Sequence, residues 1–129
     1  MTMRRIDWTI LCGLALSLAM SAILSGLPAP VPLAESYRCR GISGGEQYAL
    51  TLTIATLGGG YSVKWSDMGQ TLYAGWAVRH GDALAAVFGD RAGRIAISSY
   101  AISAGRLVGS WMDGSGETQT ETCLTGNPA

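Results

Sequence analysis

The chain is poor in the side chains from which most catalytic and metal sites are built. Its 129 residues include one histidine and three cysteines, and no two cysteines are spaced as a CxxC pair. Only 14% of the residues are charged, and nine basic side chains balance nine acidic ones. A chain this near neutrality has no electrostatic attraction to nucleic acid or anionic lipid. We therefore predict a protein that is not an enzyme, with no metal site, no cofactor and no nucleic-acid partner.

The sequence has one long apolar run, and it lies near the start. Residues 1–34 begin with Arg4 and Arg5, continue as an apolar run from Trp8 to Leu27 and end in a proline-rich stretch. A basic start, an apolar middle and a helix-breaking end are typical of a secretory signal peptide. The run of about 20 residues is also just long enough to span a bilayer as a helix. We predict a periplasmic or secreted protein, or one that residues 8–27 anchor in the inner membrane facing the periplasm.

Residues 35–129 form a single domain without any long helical periodicity. Short runs alternate large apolar with small or polar residues, which is typical of strands with one buried face. Glycine, aspartate and serine separate these runs, and they are the residues that turns favour. Connections this short join strands only as antiparallel hairpins. We predict eight strands, at 36–42, 47–57, 61–66, 70–79, 83–88, 94–103, 106–112 and 117–124.

Two of the three cysteines belong to this domain, and they lie near its two ends. Cys39 is on the first predicted strand and Cys123 on the last. In an oxidising compartment such a pair indicates a disulfide bond. Holding the first strand against the last closes the meander, so we predict an all-β fold, a small eight-stranded antiparallel barrel of the calycin-like kind. A two-sheet β-sandwich is the alternative.

Two strands carry predictions about which side chains face inward. In the fourth strand the large apolar residues Leu72, Trp76 and Val78 predict the inward face, with Tyr73 outward. In the sixth strand the apolar phase changes along the strand, which predicts a bulge near Ser98–Ser99.

Aromatic residues are the candidate binding residues. Trp65, Trp76 and Trp111 recur at similar places in their strands, and Tyr61 shares a face with Trp65. In a small barrel such side chains fill the interior. The alternative is that these side chains line an opening of the barrel that binds a small apolar or ring-shaped ligand.

The polar residues predict no reaction. His80 and Asp82 belong to a turn, where a solvated role is expected. Glu117 and Glu121 lie on the last strand, where we expect a solvent-exposed face.

A run of short motifs resembles a known group of proteins. The motifs are YALTLTI at 48–54, GYSVKW at 60–65, YAGW at 73–76, DALAAVF at 82–88, SYAI at 99–102, GRLVGSW at 105–111 and GET at 116–118. Together they resemble small exported proteobacterial proteins, mostly uncharacterised and sometimes labelled fibronectin-binding. The resemblance covers most of residues 46–122. It implies a secreted all-β domain and no catalytic residues.

A second likeness is to periplasmic inhibitors of lysozyme. These are small β-barrels with a Tyr-x-Cys start, here Tyr37-Arg38-Cys39, and a late cysteine. Their inhibitory Ser-Gly loop has only a loose counterpart in residues 43–48. We predict an exported, non-enzymatic module that binds a protein or a small apolar ligand. An inhibitor of a cell-wall-degrading enzyme and a structural envelope protein are the alternatives.

Overall fold

The computed structural model describes residues 29–126, and within that range the regular structure consists of strands alone. In chain order they are β1 (Ser36–Ser43), β2 (Glu46–Leu57), β3 (Gly60–Asp67), β4 (Gln70–His80), β5 (Ala83–Gly89), β6 (Ile95–Ser103), β7 (Arg106–Met112) and β8 (Thr118–Leu124). Each predicted strand agrees with the structure to within one residue at either end. No helix of the described range is long and apolar enough to cross a membrane. The predicted export segment, with Arg4, Arg5 and the run from Trp8 to Leu27, lies outside the described residues.

The eight strands form a closed antiparallel barrel in which each strand pairs with its neighbours in sequence. The closing seam joins β1 to β8, with Arg38 opposite Leu124 and Gly41 opposite Glu121. Closure leaves neither the first nor the last strand with an unpaired edge. The predicted barrel is confirmed, and the alternative of a two-sheet sandwich is wrong.

A disulfide bond crosses the seam. Cys39 and Cys123 are opposite each other in the β1–β8 register, and their sulfurs are bonded. Both cysteines are fully buried. The predicted disulfide is therefore present, and it is compatible with an oxidising location for the domain.

The barrel interior is packed with the inward side chain of every second residue. Leu52, Leu84 and Leu107 are the largest of the side chains that are almost wholly inaccessible to solvent. Around them a single cluster of buried apolar residues draws on all eight strands. This shared core keeps the strands in register, because a slip of one residue would turn a strand's apolar side chains out to solvent.

The end of the barrel at which the chain enters is closed by the segment before β1. Val31, Leu33 and Ala34 pack against the core there. The Ala34 amide donates to the hydroxyl of Tyr37 at 2.9 Å, and the Ile54 amide donates to the carbonyl of Glu35 at 2.9 Å. The turns at 57–60, 80–83 and 103–106 belong to this end, so the loops at 43–46, 67–70, 89–95 and 112–118 belong to the opposite end.

The predicted facing of β4 is wrong from Tyr73 onward, whereas Leu72 packs against the core as predicted. Tyr73 pairs with Trp65 and faces inward, whereas Trp76 is 65% exposed on the outside of the barrel. A bulge opposite Trp65 and Ser66 sets this phase, because the pairing there skips Leu72. Gly75 faces inward, and a Cβ atom at that position would lie 1.9 Å from the carbonyl oxygen of Val87. The close approach of β4 to β5 therefore leaves no room inside for a large side chain.

The bulge predicted in β6 is also wrong. This strand pairs without interruption with both neighbours, and its side chains alternate regularly between the two faces. Ser98, Tyr100 and Ile102 are buried, whereas Ile95 and Ile97 are exposed. The change of apolar phase in the sequence reflects apolar residues on the outer surface.

The seam predicts a large loss of stability when the disulfide is removed. Replacing both cysteines by serine should lower the free energy of unfolding by up to about 4 to 5 kcal/mol, since the bond closes a long loop in the unfolded chain. Denaturant titration of both proteins measures the loss. Reductant should destabilise the wild type and leave the double variant unchanged. A loss below about 1 kcal/mol would show that hydrogen bonds alone hold the seam.

Candidate functional site

A cavity of about 310 Å³ opens at the end of the barrel opposite the entry of the chain. It lies inside the barrel, beneath the loops at 43–46, 67–70, 89–95 and 112–118. We call it the mouth cavity. Small-ligand sites in proteins are concave, largely apolar and begin at about this volume.

One wall of the mouth cavity is apolar and largely aromatic. The centroids of the Trp65 and Phe88 rings lie 4.4 Å apart, and Tyr73 meets Phe88 edge-on at 5.9 Å. Both arrangements fall within the range of favourable aromatic pairs. The members of this wall are Leu50, Trp65, Leu72, Tyr73, Phe88 and Ala96.

The other wall is a hydrogen-bonded polar network around a buried carboxylate. Glu121 is only 4% exposed. The Tyr48 hydroxyl donates to its Oε1 atom at 2.8 Å, and the Tyr100 hydroxyl donates to Oε2. The indole Nε1 of Trp111 donates to the oxygen of Tyr48 at 2.9 Å. Each carboxylate oxygen thus accepts one phenolic hydrogen bond, and an indole orients one of the phenols.

The strand register explains how the two tyrosines reach Glu121. The carboxylate-bearing residue is flanked by Gly41 on β1 and Gly109 on β7. On the next strands outward, Tyr48 lies opposite Gly41 and Tyr100 opposite Gly109. The row therefore reads Tyr-Gly-Glu-Gly-Tyr across five strands. The Tyr48 ring occupies the space above Gly41, where a Cβ atom would lie 2.6 Å from the ring's Cζ atom, and the hydroxyls of both tyrosines reach Glu121.

Neither glycine of this row tolerates a side chain. A Cβ atom at Gly41 would lie 2.3 Å from the Tyr48 hydroxyl oxygen, and one at Gly109 would lie 1.9 Å from the Ser99 carbonyl oxygen. Real Cβ atoms do not approach so closely, so the polar network depends on both glycines.

Burial and the charge of Glu121 keep the two phenols protonated. The pKa of Tyr100 is raised far above its ordinary value, first by burial and then by the neighbouring carboxylate. The pKa of Tyr48 is raised by the same two causes. Both groups therefore stay neutral hydrogen-bond donors at physiological pH.

Glu121 has no cationic partner in the described part of the chain. The two ion pairs found between residues 29 and 126 join Arg79 to Asp82 and Arg94 to Asp90. Cys39 and Cys123 lie beside Glu121, close enough for the three to share a metal ion. Their sulfurs are tied into the disulfide bond, however, and metals bind the thiolate. Among residues 29–126, the side chains that donate hydrogen bonds to Glu121 are the hydroxyls of Tyr48 and Tyr100.

The loops around the mouth carry an excess of acidic residues. They contain five acidic side chains, Glu46, Asp67, Asp90, Asp113 and Glu117, against the two basic ones of Arg91 and Arg94. The Arg94 Nε atom lies 2.8 Å from an oxygen of Asp90, so one of these cations is already paired. Low-dielectric walls focus the field of such a rim into the cavity.

The candidate aromatics predicted from the sequence lie in four different settings. Trp65 is buried in the apolar wall, and Trp111 is half-buried in the polar wall. Tyr61 is half-buried against the core near the closed end of the barrel. Trp76 is on the outer surface, so its predicted place inside the barrel is wrong.

Sequence reasoning missed the centre of the site. The expectation of a solvent-exposed Glu121 is wrong, and Tyr73, expected outside, lines the cavity. Glu117 lies just before β8 and is solvent-exposed, as expected. The signal that identifies Glu121 is the pair of glycines beside it, and this appears only once the register of four strand pairs is known.

The outer surface carries a second feature, an uncharged apolar row that we call the outer row. It consists of Trp76, Val87, Ile97 and Met112, which face one another in turn across β4, β5, β6 and β7. The first three are between 42% and 65% exposed. Contiguous exposed apolar surface of this kind marks interaction sites more often than single exposed residues do.

No protein-family model matches the chain, and no significant match is found among curated proteins. The resemblance to small exported proteobacterial proteins stays a prediction.

The raised tyrosine pKa values predict a loss of stability in alkali. Above pH 10 the unfolded chain releases phenolic protons that the folded barrel keeps, so stability is full below pH 10 and falls as the pH rises. For Tyr100 the slope should approach about 1.4 kcal/mol per pH unit. Denaturant titrations at successive pH values on the wild type and Tyr100→Phe measure it. The variant should show the shallower decline, and parallel declines would contradict the assignment.

The crowding at Gly109 predicts that a single methyl group is damaging there. Gly109→Ala should lower the free energy of unfolding by about 1 to 3 kcal/mol, since the β6 and β7 backbones must separate to admit it. Gly114→Ala is the matched control, because no atom lies within 4 Å of its Cβ position. The control should be neutral in the same denaturant titration. Equal stability of the two variants would contradict the close approach.

Proposed function

We propose that the protein is an exported, non-enzymatic binding module that holds a small ligand in the mouth cavity. The observation that carries this proposal is the division of the cavity into an aromatic wall and a single hydrogen-bonded polar wall. Ligand sites combine these elements, with apolar surface giving affinity and a few fixed polar groups giving orientation. A barrel core built for stability alone would be filled with apolar side chains throughout.

The rigidity of the polar wall supports binding. Tyr48, Tyr100 and Trp111 hold Glu121 from two sides, so the carboxylate is fixed before a ligand arrives. Preorganisation of this kind reduces the entropy lost on binding. The closed end is sealed by residues 31–34, so we infer that a ligand enters and leaves between the loops of the mouth.

The surroundings of Glu121 favour binding over catalysis. A catalytic carboxylate works with a nucleophile, a base or a metal. The hydrogen-bond partners of Glu121 are two phenols that stay protonated, and both neighbouring sulfurs are bonded to each other. The one histidine, His80, is exposed at the opposite end of the barrel. The predicted export and the buried disulfide together favour a periplasmic or secreted site of action.

The proposal predicts that a small neutral aromatic compound enters the cavity. Titration with 2-phenylethanol should change the tryptophan fluorescence with a dissociation constant on the order of 1 mM or tighter, a value expected for a compound with few atoms. Trp111→Phe should reduce the change, because Trp111 lines the cavity. Trp76→Phe should preserve it, because Trp76 is outside.

A variant in which a larger side chain fills the mouth cavity supplies the control. Ala96 lines the mouth cavity on β6, and Ala101 is exposed on the same strand. Ala96→Phe should weaken binding at least tenfold, and Ala101→Phe should leave it unchanged. Equal binding by both variants would place the ligand elsewhere and contradict the proposal.

A further inference from the structure

We propose that the ligand of the mouth cavity is an organic cation, an amine with a small apolar body whose ammonium group binds Glu121. This inference rests on the proposed function, because it names the class of ligand for the same cavity.

Glu121 lacks a counter-charge among the described residues. Glu121 is 96% shielded from solvent, yet neither ion pair of the described residues includes it. Buried charges in proteins are normally paired or bound to a metal, because removing a charge from water is costly. The two tyrosine hydroxyls offset part of that cost but supply no positive charge. An ammonium group in the cavity would complete the pair.

Glu121 also keeps capacity to accept further hydrogen bonds. A carboxylate offers about four lone-pair sites on its two oxygens. Each oxygen accepts one phenolic hydrogen bond in the structure, from Tyr48 or from Tyr100. Each oxygen therefore has a second site for a donor, and Glu121 lines the mouth cavity. An ammonium group brings the donors and the charge together.

The aromatic side chains of the mouth cavity also suit a cation. Trp65, Tyr73, Phe88 and Trp111 line the same space. Aromatic faces attract cations within roughly 6 Å of the ring centroid, and the attraction grows when water is excluded. The rings also accept the apolar body of the ligand. A cavity of this lining suits an amine better than a plain hydrocarbon.

The entrance to the mouth cavity is negatively charged. Five acidic side chains against two basic ones give the loops of the mouth a net charge of −3. Together with Glu121 they favour the approach of cations and oppose that of anions. Arg94, the basic residue that lines the entrance, is paired with Asp90. Among the described residues that line the cavity, a carboxylate or phosphate ligand would therefore meet Glu121 and no unpaired cation.

The experiment compares three compounds that share an aromatic body and differ in their head group. Phenethylamine, 2-phenylethanol and 3-phenylpropionate are titrated into the full chain near neutral pH by calorimetry and by NMR. We expect phenethylamine to bind at least tenfold more tightly than the alcohol. The carboxylate should bind the weakest of the three.

Two variants with the same change of formal charge locate the effect. Glu121→Gln should remove the tenfold preference for the amine and leave the affinity for the alcohol within about twofold of the wild type. Glu46→Gln removes one acidic group from the loops of the mouth without touching the cavity lining. It should keep the preference. In the wild type, phenethylamine should shift the side-chain carboxyl carbon of Glu121 and leave that of Glu46 unchanged, which tests the contact without any substitution.

The outcomes separate this inference from the proposed function. Equal binding of amine and alcohol would overturn the cationic ligand and leave the binding module standing. Tightest binding of the carboxylate would do the same, as would a preference that survives Glu121→Gln with no shift of the Glu121 carboxyl carbon. Failure of all three compounds to bind would overturn both proposals.

Discussion

The closing seam between β1 and β8 is the constraint on which the other features depend. The register of this pairing places Cys39 opposite Cys123. Two residues further along β1, it places Gly41 opposite Glu121. The first pair forms the disulfide, and the second puts the carboxylate beside a residue without a side chain. A shift of one residue would separate the sulfurs and turn Glu121 to the outside, because side chains alternate between faces. Barrel closure, cross-linking and the polar wall are thus consequences of one strand pairing.

The Tyr-Gly-Glu-Gly-Tyr row is energetically costly for a barrel of this size. A small domain has a thin core, and burying a carboxylate with partial compensation is less favourable than filling the same volume with leucine. The row also requires glycine at positions 41 and 109, and glycine weakens a strand interior. Such departures from the rules of good packing tend to occur at functional sites. None of the two glycines, two tyrosines and one glutamate improves the core by itself, and this supports the proposed binding role of the row.

The strand boundaries were predictable, whereas the facing of two strands was not. Turns after β1, β3 and β6 carry glycines with positive φ, a conformation that marks a hairpin in the sequence itself. Facing depends instead on contacts between distant strands. Large apolar residues predicted an inward Trp76, but the inward positions on either side of it are Gly75 and Ala77, and Gly75 lies between Val63 of β3 and Phe88 of β5. Local hydrophobicity cannot report this, because the available volume is set by the neighbouring strands.

The candidate site was hidden from the sequence for a related reason. Glu121 occupies an inward position of β8, but carboxylates are mostly exposed, so its residue type alone indicates solvent. Only the register shows that Tyr48 and Tyr100 flank it across the two glycines. Trp76 of the outer row is the opposite case, since it was expected inside the barrel and lies outside. Both errors follow from equating hydrophobicity with burial. In this barrel the exceptions are Glu121 inside and the apolar outer row outside, and only the strand register identifies either of them.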